Sequence, residues 1–114
     1  MCIRDRYSSL TGENLIMATM AQSMFMKESE DLAAYIQDEL DPLLDSPNRG
    51  LKQAGFYVLI GASMPNVLVE AGYISNPNEE RKLKSASYRQ KIAKGIYAGI
   101  MRFRKSKEQI SSAK

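Results

Sequence analysis

The stretch MPNVLVEAGYISNP, residues 64–77, decides how the middle of this 114-residue chain is expected to fold. Its run Val67–Val69 is apolar, follows Met64-Pro65 and is closed by Gly72, which is typical of a strand between turns. A second run of this kind, Phe56–Ile60, lies between Gly55 and Gly61. Neither run alternates apolar with polar residues. Both are therefore predicted as central strands of an α/β sheet that is covered on both faces.

Helices are predicted on both sides of these strands. Residues 13–44 place apolar side chains at spacings of three and four, at Leu32, Ile36, Leu40 and Leu43. A kink or break is expected within residues 21–28, where this pattern is less regular.

The C-terminal third also has helix signals. Asn76-Pro77-Asn78-Glu79 supplies a cap residue, a proline at the first helical position and an acid in the first turn. Ser87, with Gln90 at capping-box spacing, is predicted to open a longer helix that ends near Arg104. The apolar stripe expected on that helix consists of Tyr88, Ile92, Ile96, Ile100 and Phe103.

The order helix, strand, strand, helix, helix predicts an α/β or α+β fold. Two strands are too few for a free-standing sheet with helices on both faces, so further strands are expected to be missing from this chain. Residues 1–12 fit neither a targeting segment nor the helix that follows, and we interpret them as non-native or disordered. Residues 13–104 are predicted to form the folded part, and residues 105–114 a polar tail.

Composition excludes several classes of protein. A hydrophobic content of 44% suffices for a core, and no run of about 18 apolar residues encodes a membrane span. The single Cys2 cannot form an internal disulfide. Net charge is +3, but residues 13–45 hold eight acids and one base, whereas residues 81–107 hold ten bases and no acid. A solvated helix face and tail explain the basic stretch better than nucleic acid binding does, although a polyanionic surface is an alternative.

The absence of histidine from all 114 residues excludes a serine–histidine or cysteine–histidine nucleophile. A zinc site within this chain would need carboxylates alone, so no metal ligand is assigned.

Glu70 is the one residue that breaks its local pattern, because it directly follows the apolar run Val67–Val69. A carboxylate at the end of a buried strand is costly unless it is paired, solvated or used in chemistry. Ligands and catalytic groups gather at the carboxyl ends of strands in open α/β sheets, which would suit Glu70 to general acid/base work. On pattern alone, a Glu that ends the strand and forms a salt bridge with a neighbouring Arg or Lys is an equally good interpretation.

Three segments in order carry a resemblance to a known family: NRGLKQAGFYVL at 48–59, MPNVLVE at 64–70 and GYISNP at 72–77. They resemble the zinc-dependent N-acetylmuramoyl-L-alanine amidases, in the C-terminal half of the catalytic domain. The resemblance covers about residues 13–103. It implies the C-terminal part of a three-layer sandwich, with a mixed sheet flanked by helices, incomplete in this chain. Residues 13–104 would then be a partial amidase catalytic domain.

The resemblance also implies a reaction. Enzymes of this family cleave the amide between N-acetylmuramic acid and the L-alanine of the peptidoglycan stem peptide. A zinc ion held by two His and one Glu activates a water, and a further Glu assists as general base and acid. By motif position that further Glu is Glu70. The zinc ligands lie on segments that precede residue 13 in the family, so zinc is expected in a full-length parent and not in this chain alone.

Further expectations follow from the resemblance. Peptidoglycan is the implied partner and the location is extracytoplasmic, whereas oligomeric state is left open. The chain alone is expected to be inactive. The alternative is a non-catalytic module that binds the cell wall or another polyanion through its basic C-terminal helix. Arg49, Lys52 and Gln53 could line a substrate groove but are left unassigned, and Asn76 is interpreted as a helix cap. Tyr73 is interpreted as a core aromatic, with a place in the wall of the pocket as the alternative.

Overall fold

A computed structural model describes residues 12–114, so the prediction for residues 1–12 lies, except for Gly12, outside the described part. Four α-helices and one 3-10 helix form within this range. The α-helices are α1 (Glu13–Met24), α2 (Met26–Leu40), α3 (Pro77–Lys84) and α4 (Ala86–Ser112), and the 3-10 helix spans Tyr57–Leu59. The main packing is that of α4 across α2, with α3 beside α4.

The predicted break in the first helical region is confirmed, and it falls at Phe25. The backbone there has φ −101° and ψ 7°, outside the α-helical region. The Phe25 carbonyl oxygen begins α2 by accepting hydrogen bonds from both the backbone N–H of Ser29 at 2.8 Å and the Ser29 hydroxyl at 2.7 Å. At the other end, α2 stops at Leu40, earlier than the predicted residue 44. Asp41 still has helical backbone, with φ −52° and ψ −49°, but Pro42 has no backbone N–H with which to continue the helix.

The core lies between α2 and α4. Ile36 and Leu40 on α2 meet Ile92 on α4, and these three side chains are at most 8% exposed. Gly95 and Gly99, one helical turn apart, bring the α4 backbone against α2. A Cβ built on Gly99 would lie 2.5 Å from the Ile36 Cα, and one on Gly95 would lie 2.5 Å from the Leu40 Cδ2. Glycine is therefore what permits this close crossing.

The apolar stripe predicted for α4 is confirmed only over its first half. Tyr88 and Ile96 pack against the core beside Ile92. Ile100 is 45% exposed although Arg102 and Lys107, further along α4, still contact α2, so Ile100 lies off the face of α4 that α2 covers.

The predicted α/β sandwich is wrong for this chain, because residues 12–114 contain no β-strand. Residues 57–59 form the 3-10 helix, and Val58 is 48% exposed. Val67–Val69 has no regular secondary structure and, within residues 12–114, no strand is paired with it. Val67 and Val69 pack against the helical core while Leu68 is 44% exposed, so this segment is covered on one face and not on two.

The N-terminal cap predicted for α3 is confirmed. The Asn76 Oδ1 accepts hydrogen bonds from the backbone N–H groups of Asn78 and Glu79, and Pro77 occupies the first turn.

The predicted bounds of the last helix are wrong at both ends. The cap is Ser85, whose extended backbone lets its Oγ accept from the Tyr88 N–H, so Ser87 lies inside α4. The helix continues past Arg104 to Ser112, and Arg104 pairs with Glu108 at 2.8 Å along it. An i,i+4 pair of this kind supports a helix even where the sequence is polar.

The acidic and basic parts of the sequence meet across the α2–α4 interface. Arg102 lies 2.9 Å from the Glu39 carboxylate and 3.8 Å from that of Asp38, and Lys107 lies 3.4 Å from Glu28. Part of the basic stretch is thus matched by acids of the same chain. Among residues 12–114, no helix combines the length and the apolar character that a membrane crossing needs.

Candidate active site

An open groove of about 750 Å³ runs between α2 and the segment that connects α2 to α3. Its floor is formed by the core side chains Ile36, Leu40 and Ile92, with Val67 and Val69 beside them. Its rim comes from residues 46–54, 66 and 70–73 together with Glu79, and it holds the polar side chains of the groove. The groove thus has an apolar base and a few polar groups above it, as ligand sites commonly have.

Glu70 lies on this rim. Its neighbour Val69 is turned towards the core, and Glu70 itself is exposed and lines the groove. Within residues 12–114, no hydrogen bond or salt bridge reaches its carboxylate, so the alternative of a salt-bridged glutamate is not what the structure shows. The expected burial is also absent, because the strand that would have buried it does not form here.

Three other residues form a closed set of contacts on the same rim. The Arg49 guanidinium donates from Nη2 to the Glu79 Oε1 at 2.7 Å, and its Cζ lies 4.6 Å from the centre of the Tyr73 ring. The other carboxylate oxygen of Glu79, Oε2, accepts a hydrogen bond from the Tyr73 backbone N–H at 2.5 Å. Both oxygens of one carboxylate are therefore engaged.

These contacts change the electrostatics of the pair. The hydrogen bond from Arg49, and next to it the one from the Tyr73 N–H, hold the pKa of the Glu79 carboxyl below its ordinary value. The same bond to Glu79 raises the pKa of Arg49 above its ordinary value. Glu79 is therefore an anion at neutral pH, and its charge is offset by Arg49.

The sequence predictions for the rim are met in part. Arg49, Lys52 and Gln53 all line the groove that Glu70 lines, which is the place that the sequence suggested for them without assigning a role. Tyr73 is 48% exposed, so its prediction as a core aromatic is wrong, and it lines the groove with Arg49 over its ring, as the alternative had it. Sequence patterns did not identify Glu79 as a groove residue. An acid in the first turn of a helix was already explained by the helix, and the partner Arg49 lies 30 residues earlier in the chain.

The described residues do not fit a zinc site. No group of three His, Cys, Asp or Glu side chains converges within residues 12–114, and the full sequence contains no histidine. Glu79, which shares the groove with Glu70, is already bound to Arg49 and Tyr73. No step of the chemistry is therefore derived through a metal.

Comparison with known proteins gives a family match that covers most of the chain. Residues 7–102 match the family described as N-acetylmuramoyl-L-alanine amidase. The match includes Glu70, the whole groove and most of α4.

Relatives of known name agree with this match. The N-acetylmuramoyl-L-alanine amidase AmiA of Escherichia coli is 38% identical over 88 residues, which is 77% of this chain and 30% of that protein. The germination-specific N-acetylmuramoyl-L-alanine amidase of Bacillus subtilis is 40% identical over 77 residues, 67% of this chain and 32% of that protein. The amidase AmiC of Escherichia coli is 38% identical over 96 residues, 84% of this chain and 22% of that protein. The chain thus spans a third or less of these relatives. No solved structure gives a significant match.

Proposed function

This chain belongs to the N-acetylmuramoyl-L-alanine amidase family, and from that premise we propose that it is part of a peptidoglycan hydrolase. The bond cleaved is the amide between N-acetylmuramic acid and the L-alanine of the stem peptide. The support is the family match over residues 7–102 together with the share of each relative that the chain spans. The chain would supply one wall of the active site and would not act alone.

The observation that carries the proposal is the position of Glu70, an exposed carboxylate on the groove rim that no described residue engages. In this reaction a water oxygen attacks the amide carbon and the C–N bond breaks. Glu70 takes a proton from the attacking water and delivers it to the departing amine nitrogen, so the products are a carboxylic acid and a free amine. A carboxylate that is free of ion pairs is available for both transfers.

Zinc enters this proposal through the family alone. The resemblance places the ligands on segments that precede residue 13 in the family, and the described residues offer no replacement for them. We therefore expect the 114-residue chain to bind zinc weakly. Because the substrate is a polymer of the cell wall, the proposed location is extracytoplasmic.

The decisive experiment is a chimera in which this chain replaces the matched segment of Escherichia coli AmiA. The chimera should release stem peptides from purified cell walls. Glu70→Gln should lower kcat by about 10²- to 10⁴-fold, the usual contribution of a positioned general base. Bound zinc, measured by metal analysis, should be unchanged.

The matched control is Glu80→Gln, which removes the same charge from a carboxylate on α3. Among the described residues Glu80 pairs with Lys84 alone, and it lies outside the groove. This variant should keep full activity. Loss of zinc in Glu70→Gln would make Glu70 a ligand instead of a base, and full activity in that variant would mean that another group moves the proton.

The isolated chain gives an independent test. When incubated with cell walls and zinc, the 114-residue protein should release no stem peptide, and calorimetry should show weak zinc binding. Tight binding with turnover would contradict the proposal that this chain holds only part of an active site.

The alternative function, a polyanion-binding module that uses the basic helix, has less support. Arg102 and Lys107 are engaged by acids of α2, and Arg104 by Glu108, so these charges are partly neutralised within the chain. Binding to cell walls that falls steeply with salt, and that Arg102→Gln and Arg104→Gln abolish while Glu70→Gln does not, would favour this alternative.

A further inference from the structure

The groove rim has two parts, one within residues 46–54 and one within residues 66–73, and the Glu79 carboxylate joins them. Arg49 belongs to the segment that follows α2, and Tyr73 to the one that precedes α3. Glu79, in the first turn of α3, bonds the Arg49 side chain with one oxygen and the Tyr73 main chain with the other. The Glu79 side chain is only 14% exposed, whereas the Arg49 side chain that it bonds is 48% exposed.

The point that Glu79 fixes is close to the proposed catalytic group. Tyr73 follows Glu70 after only Ala71 and Gly72, and the hydrogen bond is made to the Tyr73 backbone, not to its side chain. Gly72 has φ 156°, and a Cβ there would come within 3.2 Å of the Glu79 Oε2. Glycine thus lets the carboxylate approach the main chain, but it also leaves that main chain free to move once the bond is lost.

We infer that Glu79 is a positioning residue, which holds Glu70 at its place on the groove rim by anchoring the backbone at Tyr73. The inference rests on the proposed function of Glu70. Arg49 takes part in the same set of contacts. It offsets the charge of Glu79, and its guanidinium packs against the Tyr73 ring. Through these two contacts Arg49 connects the part of the rim that follows α2 to the part that precedes α3.

The expected consequence is kinetic. A general base acts only when its oxygen lies within hydrogen-bonding reach of the proton that it takes. A displacement of about 1 Å can lower a rate by about 10²-fold. Loss of the anchor should therefore lower kcat and leave substrate binding by the rest of the groove nearly unchanged.

Motion in the 114-residue chain is the first test, measured by backbone amide NMR. Glu79→Gln should shift the Tyr73 amide signal and lower the heteronuclear NOE of Glu70 and Ala71. Gly95 and Gly99 report on the helix pair, and their signals should stay in place. Glu80→Gln is the matched control and should change none of these. An unchanged Glu70 NOE in a folded Glu79→Gln protein would overturn the inference.

A second variant keeps the charge. Gly72→Ala places a methyl group against the Glu79 Oε2, and should displace the same hydrogen bond and mobilise Glu70 in the same way. If Glu79→Gln also moves the Gly95 and Gly99 signals, Gly72→Ala decides the matter: a rigid Glu70 in this variant would refute the positioning role.

Kinetics in the chimera separate this inference from the proposed function. Glu79→Gln should lower kcat by about 10- to 10²-fold with KM within about twofold, and Glu79→Asp should recover part of the loss. If Glu70→Gln is inactive but Glu79→Gln keeps its kcat, the positioning role is wrong and the proposed function stands. If Glu70→Gln is itself active, the proposed function fails first.

Discussion

The α2–α4 helix pair and the groove segment (residues 46–73) are built on different principles. In the helix pair, regular backbone hydrogen bonds lie within each helix, and Ile36, Leu40 and Ile92 are packed at the crossing. The groove segment has one short 3-10 helix and no ladder, and it is the part of the chain that contains Glu70.

Individual side-chain bonds take the place of regular structure in the groove segment. The Ser29 hydroxyl on α2 accepts from the Asn66 N–H at 3.0 Å, and the Ser46 and Tyr88 hydroxyls are 2.9 Å apart. With the Arg49–Glu79 bond, these contacts attach the segment to α2, α3 and α4. The comparison teaches that the packed core lies in the helix pair, whereas the group proposed for the chemistry lies in the groove segment.

The largest effect on stability should come from Gly99→Ala. Alanine favours a helix over glycine by about 1 kcal/mol, but here its Cβ would lie 2.5 Å from the Ile36 Cα, a backbone atom. Such overpacking should leave a net loss of about 2–3 kcal/mol in the free energy of unfolding, measured by urea denaturation.

Gly95→Ala is the matched control for that crossing. Its Cβ would meet chiefly the Leu40 side chain, which can rotate away, so the loss should be smaller, about 1 kcal/mol. Equal or reversed effects of the two alanines would mean that α4 does not cross α2 at Gly99.

Within the groove segment, Val69→Ala should cost more than truncation of its neighbour Leu68. Val69 packs against the core and is half-buried, so its loss should cost about 1 kcal/mol, whereas exposed Leu68→Ala should cost less than about 0.5 kcal/mol. Denaturation of both variants would check this. A larger loss from Leu68→Ala would show that both faces of the segment are covered.

The boundary between the two regions depends on the Asn76 cap. Asn76→Ala removes the acceptor for the N–H groups of Asn78 and Glu79 and should cost about 1 kcal/mol by denaturation. Asn78→Ala, which leaves that acceptor in place, should stay within about 0.5 kcal/mol of the parent. Equal changes in the free energy of unfolding for the two variants would mean that the Asn76 side chain does not stabilise the start of α3.

The smallest effect should be a pH dependence from Glu79. Its pKa is lowered in the folded chain, so its contribution to stability is present above the ordinary value near 4.5 and is lost as pH falls through the lowered value. The difference in Tm between the parent and Glu79→Gln should therefore narrow as pH falls from 5 towards 3. A difference that stays constant over that range would mean that the carboxylate charge is not what matters.

The helices could be predicted from the sequence because their signals are local. Spacings of three and four marked Ile36 and Leu40, and Asn76-Pro77 marked the start of α3 at its observed place. Local patterns could not decide whether a sheet forms, because the apolar run Val67–Val69 becomes a strand only when another segment bonds to it. The end of α4 was missed because the Arg104–Glu108 pair supports a helix in a stretch that lacks apolar periodicity.

By itself, the sequence indicated the family, the helices on both sides of the middle segment and Glu70 as the candidate, since periodicity, caps and ordered motifs are properties of neighbouring residues. That Glu70 lines the same groove as Arg49, Lys52 and Gln53 was a possibility that the fold made definite. Only the tertiary structure decided the role of Gly95 and Gly99 and the link from Glu79 to Tyr73 and Arg49. The physical reason is that close backbone approach and the sharing of one carboxylate between two loops depend on distances between segments, which no local pattern encodes.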